Sequence, residues 1–438
     1  MLKQAGRTGI DKAALLAPLA PFAKIALAVS GGPDSLALML LMADWARQAG
    51  KQLIVYSVDH GLRPEAAGEC AMVAEEAQKL GLSCRILCWS DAKPKTGVQA
   101  AARAARYRLM GAAMQADGAE ILVTAHHLGD QAETILMRLA HGSGLSGLAG
   151  MTLFGEVEGV AVCRPLLEIE SKALRAVVAE AGLTPAADPS NHDEHYERVR
   201  WRRLLPALAD EGLDSERLTA FSRRMARADL ALEEWAERAY ATLADIDGFG
   251  VVTLPNDKLF ALPTEIGLRV VGRAANWAGG GAENARLGQI ESTYNALCGA
   301  EAGFASTLAG VQMLRRADAL QVFREAGRLE RAPQTLTPGK TCVWDERFTF
   351  SCARTCQKGL FVQPAGKKTT RAEAERLAGP IAAPMRALKA APAVRNDKGE
   401  LVALGTFVRP EFAVTVTLAF KTKPRRFGQN SRNQNNRS

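Results

Sequence analysis

Three short segments carry residue types at spacings that do chemistry. The first is A-V-S-G-G-P-D-S, Ala28–Ser35. Two glycines let a backbone turn sharply and gather several N–H groups round one point. A helix starting directly afterwards adds its partial positive charge, so the turn suits a phosphate. Ser30 and Ser35 add hydroxyl donors. A plain strand-to-helix turn is the simpler alternative. The lysine of a Walker-type loop is missing here. The chain's Gly-Lys-Thr, Gly339–Thr341, has Gln334 where that motif needs glycine. The second segment is V-D-H-G-L-R, Val58–Arg63. The third is T-A-H-H-L-G-D-Q-A-E-T, Thr124–Thr134. On a helix, Asp130, Glu133 and Thr134 share a face at i, i+3, i+4. Two carboxylates there hold a cation or take a proton. His126 and His127 are adjacent and point in different directions, which argues against one shared metal ion. Gly142–Gly147 fits G-x-G-x-x-G but follows a helix rather than a strand, so a flexible active-site loop is expected there instead of a dinucleotide site.

The elements that must position these residues alternate in type. Short apolar runs at Lys24–Ser30, Gln52–Asp59, Cys84–Trp89 and Glu120–Ala125 read as strands buried on both faces. Between them, Ser35–Arg47, Glu65–Leu80, Val98–Met114 and Asp130–His141 read as helices. This alternation predicts an α/β fold with a doubly wound parallel sheet. Ligands in such sheets bind at the carboxyl ends of the strands, where Ser30, Asp59 and His126 fall. A strand near Val160–Leu166, a helix over Ile169–Ala181 and a basic helix over Arg198–Leu208 follow. Residues 214–243 read as one long helix and give the best domain boundary. We expect a catalytic domain over 1–210 and a helical linker over 211–245. A small mixed α/β domain over 246–335 and a β-rich basic domain over 340–420 should come next, then a disordered tail over 421–438. Residues 306–323 resemble a hairpin, Arg331–Gly339 a linker and Arg371–Ala378 a helix.

Charge divides the 438-residue chain more sharply than its net +8 suggests. Residues 1–210 sum to −1, residues 211–339 to −3 and residues 340–438 to +12, while all six histidines lie between His60 and His195. A neutral front with chemistry and a basic rear for a polyanion is one reading. A basic, solvated rear without a partner is the other. The eight cysteines include no C-x-x-C, so neither a disulfide framework nor a zinc site is indicated, and a reducing cytoplasm fits. No apolar run reaches the ~18–20 residues of a membrane span.

The three segments, in this order, resemble the tRNA(Ile)-lysidine synthetase family of the PP-loop ATP pyrophosphatase superfamily. Further matches are Ala102-Arg103-Ala-Ala-Arg106-Tyr107, Arg164-Pro165-Leu166-Leu167, Asp188-Pro-Ser190-Asn191 and Leu204-Leu205-Pro206. The resemblance covers most of residues 24–206. It implies that ATP adenylates C2–O of the wobble cytidine in a CAU-anticodon isoleucine tRNA, and that free L-lysine then displaces AMP. It also implies roles. Ser30, Gly31, Gly32, Pro33, Asp34 and Ser35 would hold the ATP phosphates, with Asp34 acting through Mg²⁺ as a co-substrate ion. No tightly bound metal or prosthetic group is implied. Asp130 and Glu133 would take the lysine ammonium, and His60 and His127 would border the pocket. Arg106 would stabilise charge on the adenylate. A catalytic arginine carries over onto Arg200, with Arg198 and Arg202 as rivals. Partners would be the tRNA, lysine and ATP, without a membrane; a homodimer is left open. Gly129 departs from the acidic residue or asparagine many members carry, which predicts a looser helix start. A cytidine thiolase, a glutamine-dependent amidating synthetase and a non-catalytic tRNA-binding protein are the competing readings. The absence of C-x-x-C and of a glutaminase domain, and the intact loop, weigh against them.

Overall fold

The computed structural model describes residues 10–186, 195–281, 285–330 and 332–419. The chain divides into two compact units, one running to Arg227 and one beginning at Ala228.

In the first unit the elements run β1 (Lys24–Ala28), α1 (Pro33–Ala49), β2 (Gln52–Asp59), α2 (Glu65–Lys79), β3 (Ser83–Cys88), α3 (Val98–Asp117) and β4 (Ile121–Val123). They continue with α4 (Leu128–Ala140), β5 (Phe154–Val157), β6 (Val160–Cys163), α5 (Ser171–Glu180), α6 (Glu197–Asp210) and α7 (Ser215–Leu243), the last passing into the second unit. The sheet order is β3-β2-β1-β4-β6-β5. The pairings β1–β2, β2–β3, β1–β4 and β4–β6 are parallel, as the apolar runs predict. The edge departs from that expectation: β5 runs antiparallel to β6, because only a tight turn, Glu158-Gly159, joins them. Alternation along β1 explains the double winding. Ile25 and Leu27 face the side packed by Leu36 and Met39 of α1, Val73 of α2 and Leu174 of α5. Ala26, with Tyr56 and Leu122, faces Tyr107, Met110 and Met114 of α3. β1 and β4 are adjacent while the chain order reverses across them, so the carboxyl ends of β1, β2 and β4 open onto a crevice.

The second unit contains β7 (Asp245–Ile246), β8 (Val252–Pro255), α8 (Thr264–Ala278), α9 (Leu287–Cys298), β9 (Ala305–Leu308), β10 (Val311–Arg315) and β11 (Ala319–Arg324). β7 to β11 form one antiparallel sheet in the order β7-β8-β11-β10-β9. There follow β12 (Gln334–Thr335), β13 (Thr341–Trp344), β14 (Phe348–Cys352), β15 (Phe361–Pro364), α10 (Arg371–Ala378), α11 (Met385–Ala390), β16 (Pro392–Arg395), β17 (Leu401–Leu404), β18 (Phe407–Val408) and β19 (Val414–Leu418). These make the sheets β12-β15-β16-β17-β18 and β13-β14-β19. The expected linker at 331–339 is partly β12, paired with β15. Phe249, Val251 and Phe323 share one buried cluster with Leu388, Leu401 and Leu404. Asp188-Pro-Ser190-Asn191, Arg331 and the tail Lys421–Ser438 lie outside the described residues.

Candidate active site

The Ala28–Ser35 loop leaves β1 and enters α1 through Gly32 as its N-cap, with Pro33 at the first helical position. Gly31 has φ of +87°, in the region glycine tolerates best, and its carbonyl accepts from the Ala186 N–H at 3.0 Å. A Cβ here would stand 3.2 Å from Met72 Cε. The two serines divide their work. The Ser35 hydroxyl donates to the Gly32 carbonyl at 2.9 Å and accepts from the Ser30 N–H at 3.2 Å, so it braces the loop from a buried position. Ser30 is exposed to the crevice end of the sheet. Asp34, in the first turn of α1, accepts from the Ser171 hydroxyl at 3.1 Å.

His127 caps α4: its Nδ1 accepts from the Gly129 N–H at 3.0 Å, and its own N–H donates to Asp130 Oδ2 at 2.9 Å. With Nδ1 accepting, the ring proton belongs on Nε2, which stands 3.7 Å from Asp34 Oδ2 and 3.5 Å from Asp130 Oδ2. This imidazole therefore stands between the loop and Asp130, with neither contact made as a hydrogen bond. The departure at Gly129 also finds its reason here. A Cβ at 129 would lie 2.8 Å from His127 Cε1, so glycine makes room for the cap. The helix start is tied twice rather than loosened.

Asp130 and Glu133 lie together as the i, i+3 spacing predicts, and both already hold cations. Arg198 Nε donates to Glu133 Oε2 at 2.6 Å, and its Nη2 donates to Asp130 Oδ1 at 3.0 Å. Arg202 Nε donates to Glu133 Oε1 at 2.7 Å. The Glu133 side chain is 2 % exposed, that of Asp130 15 %. Burial raises the Asp130 pKa. The His127 ring beside it, the Arg198 guanidinium charge and the hydrogen bond from the His127 N–H more than offset this and hold the carboxyl below its usual range.

Arg200 is not part of this group. It is exposed and donates to the His195 carbonyl at 3.1 Å. On α6 its side chain points about 200° round the axis from Arg198, which puts it on the far side. Arg198 and Arg202, four apart, share the face that meets α4. The i, i+4 spacing set against the i, i+3 carboxylates was the available signal.

His60 and Arg106, both half-buried, lie apart from this group. Among the described residues, the buried atoms His60 Nδ1 and Arg106 Nε have no hydrogen-bond partner. Burial, then the Arg106 charge, pushes the His60 pKa down to about 4, so the ring is neutral at pH 7. Its edge meets Trp89 at 6.3 Å between centroids. Burial also lowers the Arg106 pKa. His126 was not singled out from the sequence for a role. It shares a 2.8 Å hydrogen bond between Nδ1 and Thr124 Oγ1, and burial drives its pKa to about 3. The Gly142–Gly147 loop opens only a four-residue helical turn, and Arg138 donates to the carbonyls of Gly147 and of Gly150 beyond it, each at 2.8 Å.

Among the described residues, no group of three or more His, Cys, Asp or Glu converges as a metal-ligand set, and no helix is long and apolar enough to cross a membrane. The crevice instead combines a glycine turn at a helix N-terminus, one carboxylate in that turn and guanidinium groups on the opposite wall.

A doubly wound sheet with a glycine turn after β1 defines a PP-loop ATP-binding domain, and the model of that domain matches residues 9–208. The tRNA(Ile)-lysidine synthase of Rhodopseudomonas palustris is 47 % identical over 283 residues, covering 64 % of this chain and 81 % of that protein. The enzyme of that name from Bradyrhizobium sp. is 42 % identical over 338 residues, 72 % of this chain and 94 % of the relative. The one from Wolbachia pipientis is 31 % identical over 350 residues, 80 % and 81 % of the two chains. The chain belongs to the tRNA(Ile)-lysidine synthase family.

Proposed function

We propose that this protein uses ATP to join free L-lysine to C2 of the wobble cytidine in a CAU-anticodon isoleucine tRNA. The observation that carries the reading is the position of His127, whose Nε2 stands 3.7 Å from Asp34 of the loop and 3.5 Å from Asp130 of the carboxylate pair. Chemistry on ATP and chemistry on an amine thereby share one crevice. In the first step the cytidine C2 oxygen attacks the α-phosphorus of ATP and pyrophosphate leaves. In the second the lysine ε-amine attacks C2, the C2–O bond breaks and AMP departs.

The residues divide this work by position. The N–H groups at Gly31, Gly32 and the start of α1, with the Ser30 hydroxyl, hold the pyrophosphate; Pro33 presets the turn and Ser35 keeps the loop in shape. Asp34 offers a hard oxygen ligand whose hydrogen-bond partner among the described residues is the Ser171 hydroxyl, and this carboxylate would hold Mg²⁺ beside the phosphates. Such an ion would neutralise phosphate charge. Free lysine carries an ammonium of pKa ~10.4, which must lose a proton before attack. Asp130 is the more open carboxylate and receives that ammonium, while Glu133 holds Arg198 and Arg202 in place. Arg106, half-buried and with no partner for its Nε among the described residues, is placed to meet developing charge on the adenylate. His60, neutral beside it, lines the pocket.

The tRNA needs phosphate contacts beyond the crevice. In the second unit, Lys340, Arg354 and Lys358 are exposed and make no ion pair among the described residues. Hydrogen bonds from Gly339 N to the Cys352 and Ala353 carbonyls draw their loops together. No acidic residue occurs between Glu346 and Glu373.

The test incubates purified protein with ATP, labelled lysine and the CAU isoleucine tRNA. Label should enter the tRNA with release of AMP and pyrophosphate. Failure of transfer to a correctly folded transcript, with the wild-type protein intact, would falsify the reading.

A further inference from the structure

Residues 198–227 hold eight arginines against four acidic residues, a local excess hidden by the −1 of residues 1–210 and the −3 of residues 211–339. Most of these arginines have partners. Arg198 and Arg202 face the carboxylates, Arg217 pairs with Asp214 and Arg223 pairs with Glu168. Arg224 and Arg227 differ. They sit one turn apart on α7, both exposed, and make no hydrogen bond or ion pair among the described residues.

Their direction is set by packing. Leu218 and Phe221 of α7 turn inward onto Ile135 and Leu136 of α4 and Leu205 and Leu208 of α6. Ser222 is buried beside them. With 3.6 residues per turn, this phase leaves 223, 224 and 227 on the outer face. The stripe also has a fixed place. Arg223 Nη1 donates to Glu168 Oε1 at 2.7 Å. Glu168 lies in the segment whose Ile169 carbonyl accepts from Leu128 N, and Ser171 beyond it donates to Asp34. The row Arg223, Arg224, Arg227 thus begins at the rim of the crevice where the wobble base must enter.

We infer that Arg224 and Arg227, continuing from Arg223, form a phosphate-binding stripe for the backbone of the anticodon arm. The identity of this RNA rests on the lysidine reading above. An RNA with its wobble nucleotide in the crevice must carry flanking phosphates across the rim, and guanidinium groups bind phosphate through paired N–H donors. Glu168 is the carboxylate at the start of the row, and its pairing with Arg223 leaves the two further arginines uncompensated.

The test measures binding of an anticodon stem-loop RNA to the full-length protein across a potassium chloride series. Each lost phosphate contact lowers the slope of log K against log salt by about 0.7–0.9, so Arg224→Gln with Arg227→Gln should lower it by roughly 1.5. Affinity should fall about tenfold at low salt, with the turnover rate at saturating RNA unchanged. Arg224→Lys with Arg227→Lys keeps the charge and should keep the slope. An unchanged slope in the folded glutamine variant overturns the stripe. The reading of function fails separately: a wild-type protein that makes no lysidine but shows the variant-sensitive slope would leave the stripe standing.

Discussion

Glu133 is gripped from both sides, Arg198 on one oxygen and Arg202 on the other, with almost no solvent. A carboxylate so placed costs most when one partner is lost, because the remaining charge stays buried; losses of ~3–5 kcal/mol are typical of such sites. The arginines are more open, so removing one is cushioned by water. Arg202→Ala should therefore leave a folded protein while disorganising the amine site. We expect lysine transfer to fall at least 100-fold for Arg202→Ala and less than threefold for Arg200→Ala, measured as kcat/KM for lysine. Equal losses would mean that α6 is rotated in the working enzyme. The two were hard to tell apart in sequence because Arg198, Arg200, Arg202 and Arg203 crowd one stretch of six residues. Only the phase that α6 adopts against α4 decides which of them face the carboxylates, and that phase is set by Trp201, Leu205 and Leu208 packing onto Leu136 and Leu218. Asp130 and Glu133 were legible because an i, i+3 spacing needs no tertiary information, and Asp34 was legible through the resemblance of its loop.

At the scale of an element, α4 shows how one helix can serve three neighbours. Gln131 accepts from Met151 N at 2.8 Å and donates to the Met151 carbonyl at 2.9 Å, fixing the chain that follows the glycine loop. Asp130 and Glu133 hold α6, and Ile135 and Leu136 anchor α7. Its start depends on Gly129. Replacing this glycine with alanine gains ~1 kcal/mol of helix propensity. The new Cβ, 2.8 Å from the His127 ring, must push the imidazole off the Gly129 N–H, and losing such a cap costs ~1 kcal/mol. The two nearly cancel, so Gly129→Ala should shift Tm by no more than a few degrees. Catalysis should respond differently, since His127 would leave its place between Asp34 and Asp130. A severalfold drop in kcat with little change in Tm is the expected pair of results; an unaltered kcat would show that this position of His127 is dispensable. The parallel sheet and the order of helices were readable from the apolar runs, but β5 was not. Its four residues, F-G-E-V, are half-exposed and pair only with β6, so they carry no buried run to detect.

For the whole molecule, the question is what the +12 of the last 99 residues does. Removing residues 340–438 looks like the direct test, but the second unit does not permit it. Phe249, Val251 and Phe323 are at most 5 % exposed and are covered by Leu388, Leu401 and Leu404 from the segment that would be lost. Arg324 would lose Asp345, and Gly248 its bond from Thr406 N at 2.8 Å. Exposing three such apolar side chains costs ~1.5–3 kcal/mol each, a sum comparable to the ~5–15 kcal/mol that holds a domain together. The truncated chain should therefore lose the unfolding transition of its second unit and aggregate, so that weakened tRNA binding by it would say nothing of charge. Charge removal on the intact surface avoids this. Lys340, Arg354 and Lys358 are exposed and make no ion pair among the described residues, so changing all three to glutamine should leave Tm within a degree or two. For full-length tRNA, the salt slope should fall by roughly 2–2.7 if each side chain neutralises one phosphate. A slope equal to the wild type's, at equal Tm, would assign these three cations to solubility and leave tRNA contact to other residues.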